Sequence, residues 1–147
     1  MQENEDDGDI NLFNLFLLFE FFKVSDEEAM MLTGRATLTD AVNDLLLRTK
    51  SVFAITLGKD GTLLRINNET KIIPSIKIKP VDTTGAGDAF TGAVLYQVSD
   101  KSLDEIKKLT KEQWSKIISN ANKAGARTRE YLGAMEAFKH LSNDIFK

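Results

Sequence analysis

Apolar and polar positions along the chain alternate with two different periods, and these mark out most of its elements. Ser25-x-x-Glu28 reads as a capping box, which predicts a helix from about Asp26 to Leu32, stopped by Gly34. A second helix, Thr39 to about Lys50, carries Ala41, Val42, Leu45 and Leu46 on one face. Val52 to Leu57 is nearly all apolar, as expected of a strand covered on both faces. Gly58-Lys59-Asp60-Gly61 turns the chain, after which Leu63 to Ile66 and Thr70 to Ile73 pair around Asn67-Asn68 as a hairpin. The β-branched run Ile72 to Ile78 predicts a strand that leads into a glycine-rich turn. Beyond that turn Phe90, Ala93, Val94, Gln97 and Val98 recur at helical spacing.

Lys101 to Lys108 reads as a charged, solvated amphipathic segment. Trp114, Ile117, Ile118 and Ala121 form a helical core stripe, which makes Trp114 a core residue and not a stacking platform. Asn122 falls at the edge of that stripe, where a polar group can reach a pocket. A weakly amphipathic helix with Met135, Phe138 and Leu141 closes the chain. There is no internal repeat and no long linker, and the pattern predicts a layered α/β domain.

Composition changes this picture at one end only. The 147 residues suit one domain large enough to bury a core. Residues 1–9 hold five acidic residues and no basic one, a solvated composition. Ile10 to Phe22 then holds ten apolar residues in thirteen. That run is shorter than the roughly 20 residues a bilayer span takes, and it lacks the basic flank and cleavage site of a signal peptide. It reads as a buried strand or helix, or as a surface that packs on another half of a larger fold. The expected division is therefore 1–22 as an acidic, then Phe/Leu-rich, segment and 23–147 as the folded part.

A net charge of −3 with no basic block argues against nucleic-acid binding. No cysteine excludes disulfides and thiolate metal sites, and the single His140 excludes a histidine cluster. His140 reads as a surface or packing residue.

The chemistry concentrates in Val81-Asp82-Thr83-Thr84-Gly85-Ala86-Gly87-Asp88-Ala89-Phe90. A glycine-rich turn opening a helix presents unpaired backbone N–H groups and the positive end of the helix dipole, which together suit an anion. Gly85 and Gly87 remove side chains that would keep a phosphate from the backbone. Asp88 would repel a static phosphate, but it suits a base that takes a proton from a hydroxyl attacking that phosphate. The bland alternative is a helix-opening turn whose Asp88 merely favours the dipole. No lysine follows as in a Walker A loop, and the next glycine after Gly87 is Gly92, which breaks dinucleotide spacing. A dinucleotide-binding oxidoreductase fragment would use Glu105 as its acid.

Asp82 to Asp88 resembles the C-terminal signature of the ribokinase-like sugar kinases, the phosphofructokinase B family. Lys23-Val24-Ser25-Asp26-Glu27-Glu28 with Leu32-Thr33-Gly34, Ile55-Thr56-Leu57-Gly58-Lys59-Asp60-Gly61, and Asn120 to Ala126 with Gly133-Ala134-Met135 resemble three further family segments, in the right order. Ile73-Pro74-Ser75-Ile76 and Val94-Leu95-Tyr96-Gln97 look most like bacterial fructokinases. Two segments depart from the family: Ser25 stands where many members have asparagine, and the run from Arg127 to Leu132 is more charged than usual. The family's N-terminal half, with its sugar-binding residues and lid, has no counterpart here.

The resemblance implies a ribokinase-like layered α/β fold and ATP-dependent phosphorylation of a sugar hydroxyl in the cytoplasm, with magnesium. It implies Asp88 as catalytic base, with the amides of Gly85, Ala86 and Gly87 as the anion hole. Thr56, Leu57, Gly58, Lys59, Asp60 and Gly61 would line the nucleotide, and Asn122 would approach the adenine. Glu28 would help organise magnesium and phosphate, and Asp82 and Thr84 match a monovalent-cation (K⁺) position. The partners implied are fructose or a similar sugar, no nucleic acid, no membrane, and a homo-oligomer or a complementing chain. Alone, the chain is expected to be a weak or inactive kinase, and the rival reading is a non-catalytic nucleotide-binding or assembly module.

Overall fold

The computed structural model describes residues 20–130. The expectations placed on residues 1–19, on Gly133-Ala134-Met135, on the closing helix and on His140 lie outside the described residues. Strand β1 (Phe21–Ser25) runs directly into helix α1 (Asp26–Thr33), and α2 (Leu38–Arg48) leads to β2 (Val52–Thr56). A single 3₁₀ turn (Gly58–Asp60) precedes the hairpin β3 (Thr62–Ile66) and β4 (Glu69–Ile73). After an irregular stretch come α3 (Ala86–Val98), the short α4 (Leu103–Lys107) and α5 (Lys111–Arg129).

Local chemistry sets these limits. The Ser25 hydroxyl accepts from the Glu28 amide at 3.1 Å, and Glu28 Oε1 accepts from the Ser25 amide at 3.4 Å, closing the capping box that opens α1. Gly34, at φ +66°, ends α1 in the left-handed conformation and donates back to the Met30 and Met31 carbonyls. Asn67 takes the left-handed position of the hairpin turn, at φ +56°. Because β1 already includes Phe21 and Phe22, the 22/23 division falls inside a strand.

The sheet order is β1-β2-β3-β4, with β1 and β2 parallel and the other two pairs antiparallel. Its faces bury two separate clusters. Ala54, Leu64, Ile66 and Ile73 pack against Phe90, Ala93 and Val94 of α3 and against the Trp114–Ala124 stripe of α5. On the opposite face Phe22, Val24, Phe53 and Ile55 pack against Ala29, Ala41, Val42 and Leu45. The domain is a three-layer α/β/α sandwich, and β2 is covered on both faces as its apolar run requires.

Two findings differ from the pattern or go beyond it. The expected strand Ile72 to Ile78 ends at Ile73, and residues 74–80 form no ladder. Pro74 has no N–H to donate, and the carbonyls of Ile73 and Pro74 are taken by the Asn122 side chain instead of a neighbouring strand. The glycine-rich turn is thus reached through irregular chain. The second finding is Arg65, 2% exposed, in β3. Its guanidinium donates to the carbonyls of Thr49 at 2.5 Å, Ser51 at 3.1 Å and Asn67, and lies 5.7 Å from the centre of the Phe53 ring. Burial lowers its pKa, and these acceptors hold the α2–β2 loop against the hairpin turn.

Candidate functional site

The signature segment is strapped at its start to the end of α5. The Val81 and Asp82 amides both donate to the Arg129 carbonyl, at 2.7 and 3.1 Å. Asp82 Oδ1 accepts from the Thr84 amide at 2.9 Å and from its hydroxyl at 2.7 Å, so the aspartate turns the chain on itself. Gly85 then opens α3 at φ +81°, a conformation that any other residue would pay to adopt.

Gly85 has no side chain with which to cap the helix. The other four helices among the described residues are capped by Ser25, Thr37, Ser102 and Thr110. The Ala86 amide makes a 3.3 Å turn bond to the Thr83 carbonyl. That leaves the following first-turn amides, Gly87 and Asp88, without an intrahelical acceptor.

This bare helix start opens on a cavity of about 170 Å³. Six residues singled out by sequence line it: Thr56, Gly58, Gly61, Ala86, Gly87 and Asn122. A neighbouring cavity of about 390 Å³ is lined by Lys59 and Asp60 and shares Ser75 and Arg129 with the first. Together the two reach the roughly 300–1,000 Å³ of small-molecule sites.

The wall between hairpin and α5 is tightly built. Asn122 accepts from the Thr62 hydroxyl at 2.6 Å and donates to the carbonyls of Ile73 at 3.0 Å and Pro74 at 3.3 Å. Its amide is therefore spent on the frame in this conformation, and it presents the rest of the side chain to the cavity. A Cβ on Gly61 would lie 2.1 Å from the Ile73 carbonyl oxygen, and one on Gly125 would lie 3.2 Å from the Ala86 carbonyl oxygen. Gly61 is required where the two backbones cross, and Gly125 sits in tight contact with the start of α3.

The remaining candidates stand elsewhere. Leu57 donates its amide to the Gly61 carbonyl at 2.8 Å and does not line the cavity. Asp88 is exposed on the first turn of α3, also outside the cavity wall. Glu28 is exposed, with Oε1 in the capping box; Asp82 and Thr84 are bonded to one another. Among the described residues no three His, Cys, Asp or Glu side chains cluster as a metal site. A magnesium ion carried by phosphates needs only one or two carboxylates, so the lack of such a cluster does not bear on that role. Glu105 closes the capping box of α4 with Ser102, which accounts for it without a ribose. Ser75, Thr83, Phe90, Gly125 and Arg129 also line the cavity, and the sequence alone assigns them no role there. A glycine inside the apolar stripe of α5 was the available signal for Gly125. No described helix is long and apolar enough to cross a membrane.

The fold and site define a layered α/β domain with a glycine-opened helix facing a cavity at the hairpin end of its sheet. Residues 13–140 match the model of the pfkB family carbohydrate kinases. Fructokinase-1 of Zea mays is 38% identical over 119 residues, covering 79% of this chain and 35% of the maize protein. Aminoimidazole riboside kinase from Salmonella enterica, solved with aminoimidazole riboside and an ATP analogue, superposes with a TM-score of 0.76 at 32% identity, over 92% of this chain and 44% of that one. A double mutant of Vibrio cholerae fructokinase, solved with fructose, ADP and a potassium ion, gives a TM-score of 0.73 at 30% identity, over 84% of this chain and 39% of that one.

The chain belongs to the pfkB family of carbohydrate kinases, and its fold is the ribokinase-like one. It spans between about a third and a half of the length of these relatives.

Proposed function

We propose that this chain is the nucleotide-binding part of an ATP-dependent, fructokinase-like carbohydrate kinase. The observation that carries the reading is the uncapped start of α3, opening on the cavity formed by Thr56, Gly58, Gly61 and Asn122. Four other helices spend a side chain on their first amides; this one keeps them for a ligand.

In this reading ATP is the phosphoryl donor and lies along the two neighbouring cavities, its phosphates at the amides of Gly85 and Gly87 and, once its turn bond to Thr83 is given up, at that of Ala86. The Gly87 amide is fixed before the substrate arrives, so it stabilises charge developing on the transferred group without reorganising. Asp88 takes the proton of the attacking sugar hydroxyl, and its exposure leaves room for that hydroxyl. Thr56 to Gly61 line the nucleotide, and Asn122 shapes the adenine side through the frame it ties together. Glu28 orients the magnesium-bearing phosphates, and Asp82 with Thr84 offers oxygens to a monovalent cation. Magnesium would supply charge neutralisation on those phosphates.

The sugar must be held in line by residues outside this chain, and positioning of that kind is worth roughly 7–11 kcal/mol of the barrier at its largest. The chain alone is therefore expected to bind ATP yet phosphorylate fructose very weakly or not at all. Normal turnover with fructose would overturn that expectation.

Calorimetry with ATP and magnesium, on the chain and on Gly87→Val, tests the reading. Binding that the variant loses supports a phosphate seat at Gly87, and equal binding by both sinks it. Asp88→Asn, assayed with the sugar half supplied, separates the two functions. A kinase keeps ATP binding and loses turnover, whereas a pure binding module is indifferent to the change or binds more tightly.

A further inference from the structure

An apolar groove of about 460 Å³ runs beside β1 and shares no lining residue with the candidate cavity. Phe21 and Trp114 stack within it, at 4.9 Å with 13° between the rings. Val98 and Ile106 are half-buried against the core, while Leu95 and Leu103 stand 61% and 58% exposed. β1 begins the strand order, so its outer edge has no strand partner among the described residues. An open strand edge beside apolar surface is a feature that native chains cover with further polypeptide.

The sequence says which polypeptide. Residues 10–19 are eight apolar residues and two asparagines, with no charge. They join the described chain at Glu20, which is fixed at the mouth of the groove. Its carbonyl accepts from the Val52 amide at 3.0 Å, and its carboxylate pairs with Lys107 of α4 at 3.4 Å. The five residues of β1 span about 17 Å. Ten extended residues reach about 33–36 Å, enough to turn back at Glu20 and lie along the groove.

Tethering favours this occupant over a free one. A segment joined at the groove's own mouth has an effective concentration on the order of millimolar, above that of a second copy in dilute solution. Charge agrees with the placement. The five acidic residues among 1–9 would be carried past the groove, whose Lys23 makes no ion pair among the described residues.

We propose that residues 10–19 fold back onto this groove and cover it within the same chain. The cover does not depend on what the cavity binds. It caps the β1 flank, so another polypeptide gains that edge only by displacing the run. Chains from which the run is displaced expose Leu95 and Leu103 and can associate through them.

The chain has no cysteine, so thiols can be placed in chosen pairs on the full-length protein. One variant carries Phe16→Cys with Leu95→Cys. Its control carries Phe16→Cys with Leu47→Cys, since Leu47 is 88% exposed on α2, across the sheet. Both are treated with a short bis-maleimide and weighed by mass spectrometry. The Leu95→Cys pair should give a crosslinked monomer at a yield independent of protein concentration, and the Leu47→Cys pair little. A second measurement follows alkylation of Leu95→Cys alone, with and without Leu12→Asp and Leu15→Asp. Burial of one large apolar side chain shifts an equilibrium roughly tenfold or more. The two aspartates should therefore speed alkylation of Leu95→Cys roughly tenfold. The rate at Leu47→Cys should not change, which reports an intact fold. Crosslinks formed only between chains would give the groove to a second copy and overturn the cover. Equal crosslinking of the two pairs, or an alkylation rate that the aspartates leave unchanged, would overturn it too.

Discussion

The two edges of the described sheet are built on different terms. At β4 the outer residues Glu69, Thr70, Lys71 and Ile72 are exposed, Glu69 pairs with Lys111, and Pro74 ends the strand. Charge and proline at an edge are how sheets stop. β1, an edge among the described residues, reads Phe-Phe-Lys-Val-Ser and borders an apolar groove of about 460 Å³ lined by Val94, Leu95, Val98, Leu103, Ile106 and Trp114. Leu95 and Leu103 are 61% and 58% exposed there. The difference teaches where this chain is self-sufficient. Its hairpin end, with the start of α3 and the end of α5, lines the cavity among the described residues, while its β1 end shows apolar surface and an ammonium with no partner among them.

The largest expected effect comes from breaking the finished end. Gly61→Ala forces a Cβ into the Ile73 carbonyl at a backbone angle of φ +99°, and should cost about 3 kcal/mol or more in urea unfolding. A loss below about 1 kcal/mol would show that the hairpin end yields easily. Next is Asn122→Ala, which strands the Thr62 hydroxyl and frees two carbonyls, for a loss of about 2–3 kcal/mol. The same variant should bind ATP more weakly, because residues 74–80 are no longer tied to α5.

At the other end the double variant Leu95→Ser, Leu103→Ser should change stability by less than about 0.5 kcal/mol, since neither side chain is in the core. It should reduce self-association in sedimentation velocity, and unchanged association would mean that this groove is not the adhesive surface.

The smallest effect sharpens the account of the β4 edge. Hydrogen bonding and charge attraction from Lys111 hold the Glu69 pKa below the ordinary carboxylate value. A depressed carboxylate stabilises the fold above its unfolded pKa and stops doing so as pH falls through its folded pKa. Thermal melts of the chain and of Glu69→Gln should differ slightly near neutrality and converge below about pH 4. A difference that persists in acid would assign it to packing.

How much of this was legible in the sequence follows from how local each cause is. The capping box at Ser25 and Glu28, the stop at Gly34, the turn at Asn67 and the stripe from Trp114 to Ala121 all act within a few residues, and each was readable. The gathering of Thr56, Gly58, Gly61, Ala86, Gly87 and Asn122 around one cavity rested on family resemblance, since nothing in their spacing alone brings them together. The hairpin strand Thr70 to Ile73 reads correctly, but the further strand Ile72 to Ile78 does not form: β-branched alternation continues through Ile76 and Ile78, while the Asn122 side chain that captures the Ile73 carbonyl comes from 49 residues away. Nothing local marks Arg65 for burial, because a charge in a strand ordinarily faces solvent. Only the three carbonyls that converge on it explain its burial.

The Asn122 bonds also set an order of events for the chain. The antiparallel pairs β2–β3 and β3–β4 close short loops, whereas β1 and β2 pair across a crossover through α1 and α2. The bond from Asn122 to Thr62 spans 60 residues and must wait until α5 has docked. The cavity wall therefore rests on contacts that a chain with α5 undocked does not make. A nucleotide that binds only the closed cavity would stabilise these long-range contacts, in proportion to the logarithm of its concentration. The cell's ATP level would then help decide how long the domain stays folded.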